Sequence, residues 1–269
     1  MKRGQVAKGS AWALITGAAT GIGSCYARRL ARLGYNLVVA DNRTEELHAT
    51  AKAVEADAAV RVLPMVLDLA RIEAADELYE ATAAAGIEID VLINNAGIFS
   101  FCDVLHTAPE KIERILLLHD MTTTKLCRRY AARMIERGVR GHILNMSSYS
   151  LWMPFPGLAI YSASKAYLKA FSVAFSKEVA DQGVRVTAIC PAGVATDLYG
   201  LSPKLQKLGL RLGALITPDR CARRGLSALW RGVRCSVPDW WNRLWIPLLV
   251  SLPMWILRPL RNYTMKFQK

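Results

Sequence analysis

The sequence predicts an α/β protein whose strands form one doubly wound parallel sheet, with helices on both faces. Three observations carry this. Short apolar runs recur along the chain and are apolar on both faces, as strands buried in a parallel sheet must be. Segments with helical spacing separate them, which supplies the crossovers that parallel strands need. With 269 residues, 52% of them apolar, the chain can bury the core of one large α/β domain and lacks the composition of a disordered one.

Residues 11–17 (AWALITG) read as the first strand, and residues 21–34 as a helix closed by Gly34. NLVVAD at 36–41 is the second strand, followed by a helix over 44–57 with Thr44 as its N-cap. VRVLPMVLD (60–68), a helix over 71–85 and IDVLINNAG (89–97) repeat the unit. A long helix near 109–137, the strand GHILNMSS, a helix near 160–181 and the strand VRVTAICPAG complete it. No linker or repeat interrupts the series. Residues 1–199 therefore form the core and 200–238 a lid with a following helix and strand. Residues 239–269 form an apolar, basic C-terminal segment.

The net charge of +13 is unevenly spread. Residues 1–199 hold 22 Lys and Arg against 20 Asp and Glu, whereas residues 200–269 hold 13 against only Asp219 and Asp239. No nucleic-acid motif accompanies this basic quarter, so no nucleic-acid partner is expected, and an anionic surface fits it better. Six scattered cysteines show no metal-ligand spacing, so free thiols in a reducing, cytoplasmic compartment and no metal are expected. The start lacks an apolar run long enough for a signal peptide.

The first strand runs into Thr16-Gly17-Ala18-Ala19-Thr20-Gly21-Ile22-Gly23, which opens a helix. Glycines there let the backbone approach a pyrophosphate at a helix N-terminus. Asp41 ends the second strand, 18 residues beyond Gly23, where a carboxylate can bond the adenosine ribose hydroxyls. Strand, loop, helix and acid together make the fold Rossmann-like and the ligand a dinucleotide. An acid at Asp41 repels the 2′-phosphate of NADP, so NAD(H) is favoured, while Arg43 leaves NADP(H) open.

Tyr161 and Lys165 lie four apart on a helix and so share a face. An ammonium beside a phenol stabilises phenolate, which makes a tyrosine a usable proton donor and acceptor. Ser148 stands at the C-terminal end of the preceding strand, where open α/β sheets bind ligands, and can hold a carbonyl or alcohol oxygen.

The TGxxxGIG loop, Asn94-Asn95-Ala96-Gly97, Ser148 with Tyr161 and Lys165, and Pro191 to Thr196 occur in order. Over residues 10 to 200 the chain resembles the short-chain dehydrogenase/reductase family. The resemblance implies hydride transfer between nicotinamide C4 and a carbonyl carbon, with Tyr161 as acid/base, Ser148 orienting substrate and Lys165 also binding the nicotinamide ribose. It implies that Asp68 contacts adenine, that Asn95, Ala96 and Gly97 lie beside the cofactor, and that Pro191, Val194 and Thr196 lie on its carboxamide side. Two departures matter. His119 stands where the family places a proton-relay asparagine, so it either relays through its ring nitrogens, yields the role to its backbone carbonyl, or is a packed histidine. The family's Pro-Gly pair is Pro191-Ala192 here, with Gly193 next. The resemblance also implies a homodimer or homotetramer through the helices near 109–137 and 160–181.

Apolar residues gather at the expected pocket mouth: Phe99 and Phe101, then Leu151, Trp152, Met153 and Phe155, with Tyr199 opening the lid. Leucines 201, 205, 208 and 212 follow helical spacing, as in a helix packed on the core or a lid over an apolar ligand. A hydrophobic, lipid-like ketone or alcohol is expected: a 3-oxoacyl chain, a 3-ketosphingoid or a steroid. The alternative is a protein of the same fold that binds or senses cofactor without chemistry, against which the intact Ser148, Tyr161 and Lys165 argue.

The stretch LWIPLLVSLPMWIL has 14 uncharged residues, short of the roughly 20 a spanning helix needs, and Pro247 and Pro253 break its pattern. Tryptophans 240, 241, 245 and 255 with flanking arginines suit a membrane interface. Residues 239–269 are thus expected to make peripheral contact with the inner face of a membrane, or else to pack on protein.

Overall fold

The computed structural model describes residues 4–153 and 155–239, and beyond them residues 244, 248, 250–253, 255 and 259. Most of the C-terminal segment over 239–269, and the side chain of Tyr199, lie outside the described residues.

Six strands alternate with helices: β1 Trp12–Thr16, α1 Gly21–Arg32, β2 Asn36–Asp41, α2 Thr44–Ala58, β3 Val62–Val66, α3 Ala74–Ala84, β4 Ile89–Asn94, α4 Pro109–Leu116, α5 Thr123–Glu136, β5 His142–Met146, α6 Ala159–Glu178 and β6 Arg185–Ile189. A short ribbon of β7 Gly193–Val194 and β8 Leu215–Ile216 brackets α7 Pro203–Arg211. Helix α8 Pro218–Trp230 and β9 Cys235–Ser236 follow.

The main sheet has seven parallel strands in the order β3-β2-β1-β4-β5-β6-β9, so the doubly wound expectation holds. The chain steps outward from β1 to β3, then returns to place β4 on the other side of β1. That reversal opens a crevice at the carboxyl ends of β1 and β4, where such sheets take ligands. Pro64 sits on β3, an edge strand, where its missing N–H costs no ladder bond.

Alternation along β1 divides the core. Ala13 and Ile15 pack on one face with Tyr26 and Leu30 of α1 and Leu226 and Leu229 of α8. Leu14 faces the other way, with Leu78 of α3 and Leu126, Tyr130 and Met134 of α5. Both layers are fully covered, which is why the strands carry no polar face.

Two expectations are corrected. Thr44 is the first residue of α2 and not its cap; Arg43 holds the extended cap position and makes no side-chain cap bond. Glu45 and Glu46 in the first turn face the positive end of the helix dipole instead. The helix near 109–137 is not α-helical throughout either. A π-helical turn over Leu117–Thr122 separates α4 from α5. Among the described residues no helix is long and apolar enough to cross a membrane.

Candidate active site

The glycine loop follows β1 and is stitched to the loop after β4. Thr16 Oγ1 accepts the backbone N–H of Asn95 at 3.0 Å and of Ala96 at 3.1 Å. Asn95 Nδ2 donates to the carbonyls of Thr16 and Gly17, both at 3.0 Å. Glycine is required at two points in between. Gly17 has φ +64°, and a Cβ on it would lie 2.7 Å from the Ala96 Cα. A Cβ on Gly23 would lie 2.0 Å from the Gly17 carbonyl oxygen. The missing side chains leave a backbone cradle at the N-terminus of α1, the form a pyrophosphate needs. Thr16 and Gly23 build this cradle from behind, while Gly17, Thr20, Gly21 and Ile22 face the cleft.

Asp41 is buried at the end of β2. Its carboxylate accepts the Ala19 N–H at 3.0 Å and the Arg43 N–H at 3.1 Å, and Arg43 Nε pairs with it at 3.2 Å. The carboxylate thus stands fixed at the cleft wall with one neighbouring cation. Asp68 is paired by Arg114 of α4 at 3.0 Å and accepts the Ala70 N–H at 3.0 Å. Burial raises its carboxyl, but the Ala70 and Arg114 bonds outweigh that and hold it below its ordinary range.

Ser148, Tyr161 and Lys165 line the same cleft. Ser148 follows β5, and its Oγ accepts the Ser150 N–H at 3.1 Å, turning the chain away from the sheet. Tyr161 and Lys165 sit one turn apart on α6, both buried. Lys165 Nζ donates to the Met146 carbonyl at 3.0 Å and lies 5.7 Å from the centroid of the Tyr161 ring. Burial pulls the Lys165 ammonium down to about 7, opposed by Asp120 and Cys190. Ser147 braces the same turn, donating to the Lys165 carbonyl at 2.6 Å.

His119 lies in the π-helical turn, behind the cleft and fully buried. Its Nε2 accepts the Ile98 N–H at 3.0 Å, so that nitrogen carries no proton. Ser164 Oγ gives its proton to the Tyr161 carbonyl at 2.9 Å, so it accepts at 2.9 Å from His119 Nδ1. The tautomer is therefore Nδ1–H. Burial, and then the Lys165 charge, hold the imidazole well below its ordinary pKa and hence neutral. Asp120 beside it is raised to about 6 by burial, with Lys165 opposing.

One cleft of roughly 360 Å³ joins the two groups of residues. It is lined by Asp41, Arg43, Asp68, Asn95, Ala96 and Gly97 toward the glycine loop, and by Ser148, Tyr161, Lys165, Pro191, Val194 and Thr196 beyond it. Of the apolar residues assigned to the mouth, Phe99 packs edge-on against Tyr161 with centroids 5.0 Å apart, outside the lining. Trp152 is engaged elsewhere, with the Lys169 ammonium 5.0 Å from its ring and Tyr149 at 5.6 Å. Phe155 is half-buried and also outside the lining. The apolar part of the lining includes Ile98, Leu118 and Leu198 instead. Arg114 was not anticipated; no short spacing signals an arginine that meets its acid 46 residues away.

The family model described as short chain dehydrogenase matches residues 11–204. Two Danio rerio relatives are similar: very-long-chain 3-oxoacyl-CoA reductase-B, 30% identical over 81% of this chain and 68% of its own length, and reductase-A, 32% identical over 73% and 62%. This chain thus spans about two thirds of those relatives. A short-chain dehydrogenase from Sphingobium yanoikuyae in complex with NADPH superposes with a TM-score of 0.77 at 27% identity, over 90% of this chain and 96% of that one.

Proposed function

Since this chain belongs to the short-chain dehydrogenase/reductase family, NAD(P)-dependent oxidoreductases of the CH–OH/C=O pair, we propose that it interconverts a ketone and a secondary alcohol on a long, apolar, lipid-like molecule. The observation that carries this is the convergence of Ser148, Tyr161 and Lys165 on the cleft that the glycine loop and Asp41 line. The cradle left by Gly17 and Gly23 fits a dinucleotide pyrophosphate, and the nicotinamide supplies or accepts the hydride when bound. The remaining chemistry belongs to this chain.

Tyr161 gives a proton to the substrate oxygen during reduction and takes it back during oxidation. Lys165, held by the Met146 carbonyl, stabilises the negative charge that this leaves on the phenol oxygen and would also bind the nicotinamide ribose. Ser148 donates to the same substrate oxygen and fixes its orientation. Asp41 accepts from the adenosine ribose, Asp68 meets the adenine, and Thr196 with Pro191 and Val194 borders the carboxamide. Asn95 acts through the loop, since its amide is spent on the Thr16 and Gly17 carbonyls.

His119 serves as a positioning residue and not as a relay through its ring. Both nitrogens are committed, one to the Ile98 amide beside the cleft and the other to the helix bearing Tyr161. NAD(H) is favoured over NADP(H), because the buried Asp41 carboxylate would repel a 2′-phosphate, and its neighbouring cation, Arg43, already pairs with it. Lipid-like substrates are supported by the apolar wall of Ile98, Leu118 and Leu198 and by the names of the reductase relatives. A homodimer or homotetramer through α5 and α6 is supported by Tyr167, which is well exposed on α6 and stacked on Phe171.

The test is turnover of long-chain 3-oxoacyl thioesters, 3-ketosphingoids and steroid ketones, each with NADH and with NADPH. Reduction of at least one lipid-like ketone, faster with NADH, is expected. Reduction of small polar ketones alone would overturn the substrate assignment.

A further inference from the structure

Helix α7 has two unlike sides. Its inner side holds it to the site: Gln206 Nε2 donates to the Leu201 carbonyl at 3.0 Å and reaches the Thr196 carbonyl at 3.5 Å, and a Cβ on Gly209 would lie 2.6 Å from Leu215 of β8. The outer side is apolar and uncovered. Leu205 and Leu208, with Leu212 at the C-terminal cap, follow the i, i+3, i+7 spacing of one helix face and are 53%, 50% and 73% exposed. None of the nine residues of α7 is buried. Lys204, Lys207 and Arg211 run along the flank of that face, and α7 itself contains no acid; the acids next in the chain are Asp197, reached by Gln206 at 3.5 Å, and Asp219, paired with Arg29. Leu198, at the cleft rim and exposed, lies just before this helix in the chain.

An exposed leucine row with a cationic flank is the pattern of a helix that lies in a membrane interface, its apolar side among the acyl chains and its cations at anionic headgroups. A second copy of this chain would have to supply acids opposite Lys204, Lys207 and Arg211, and the face itself has none to offer in a self-complementary contact. The geometry points to α7 as a docking surface for an anionic lipid bilayer, placing the cleft rim at Leu198 against the membrane. The contact goes beyond the proposed substrate and does not depend on it.

The experiment is co-sedimentation of the full chain with phosphatidylglycerol–phosphatidylcholine vesicles and with phosphatidylcholine vesicles, without substrate or cofactor. The unaltered protein is expected to bind the anionic vesicles more tightly. Leu205→Gln/Leu208→Gln/Leu212→Gln should weaken that binding on the order of tenfold, since interfacial affinity follows the apolar area inserted. Lys204→Gln/Lys207→Gln/Arg211→Gln leaves the leucines in place and should abolish the preference for anionic vesicles. Equal sedimentation of both variants and the unaltered protein overturns the proposal and assigns any vesicle binding to another segment. So does a leucine variant that changes the solution mass while vesicle binding stays the same, which makes the face a contact between copies. Because no substrate is present, these outcomes are separate from any failure of the lipid-like substrate assignment.

Discussion

The Lys165 ammonium lies 5.7 Å from the centroid of the Tyr161 ring, and a single turn of α6 sets both side chains in the cleft. The Met146 carbonyl holds the ammonium there, and Ser147 holds the carbonyl of the same residue. Tyr161→Phe removes only the hydroxyl and keeps the ring that packs on Phe99. Turnover of NAD(P)H with a ketone should fall by about 10²–10⁴-fold, the usual worth of a positioned acid/base, while cofactor affinity by fluorescence titration is unchanged. Full turnover in this variant would remove Tyr161 from the chemistry.

Cofactor choice should respond to the Asp41–Arg43 pair in opposite directions. Asp41→Ser removes the charge facing a 2′-phosphate and frees Arg43 from its partner. The ratio of kcat/KM for NADPH over NADH should rise by roughly tenfold or more. Arg43→Ala should lower the same ratio. An unchanged ratio in both variants would place the discrimination elsewhere.

His119→Leu tests positioning through stability. The substitution keeps volume but leaves the Ile98 amide without its acceptor and Ser164 without its donor. A loss of about 1–3 kcal/mol is expected from urea unfolding, the cost of stranded buried polar groups. No loss would mean that the two bonds do not brace the site.

A pH dependence follows from His142, which packs edge-on against Trp230 with centroids 4.7 Å apart. Burial first, then Arg185 and Arg140, lowers its imidazole from 6.5 to about 4. The folded pKa lies below the unfolded one, so the unfolded chain takes up the proton first as pH falls from 6.5 toward 4. The His142 contribution to stability is therefore full above about pH 7 and lost across that window, by about 1–2 kcal/mol between pH 7 and pH 5. Urea midpoints should show this, and His142→Gln should remove that part of it; His119 acts in the same direction, and Asp120, raised to about 6, in the opposite one.

Gly23→Ala should abolish cofactor binding. Its methyl would meet the Gly17 carbonyl oxygen at 2.0 Å and Asn95 Nδ2 at 2.7 Å, and both atoms are fixed by the loop. Calorimetric titration with NADH and NADPH checks this.

The fold was legible because its strands are covered on both sides, which leaves unbroken apolar runs in the sequence. The cofactor end was legible because Gly17, Gly23 and Asp41 each meet a demand of local backbone geometry. Arg114 was not, since its meeting with Asp68 is made by the tertiary fold alone. The π-helical turn was hidden for another reason: the residues on either side of it keep helical spacing, and a wider turn leaves no mark in composition. The role of His119 depended on where its ring points, which position in the chain does not tell. Trp152 and Phe155 were assigned from apolarity near Ser148, but the short helical turn after Ser148 carries Trp152 toward Lys169.

The turn over Leu117–Thr122 amounts to an insertion that the helix absorbs without a loop. A π turn takes up one residue more than an α turn, so every side chain beyond it is carried round by about 100° relative to an uninterrupted helix. Upstream lie Arg114 and Ile115; downstream, Leu126, Cys127, Tyr130 and Met134 fill the core. Deleting the half-exposed Met121 would restore the α winding and break this phase relation. Either His119 would leave Ser164, or the whole face of α5 would leave the sheet. One surplus residue thus sets the phase between the reacting end of the molecule and its hydrophobic interior.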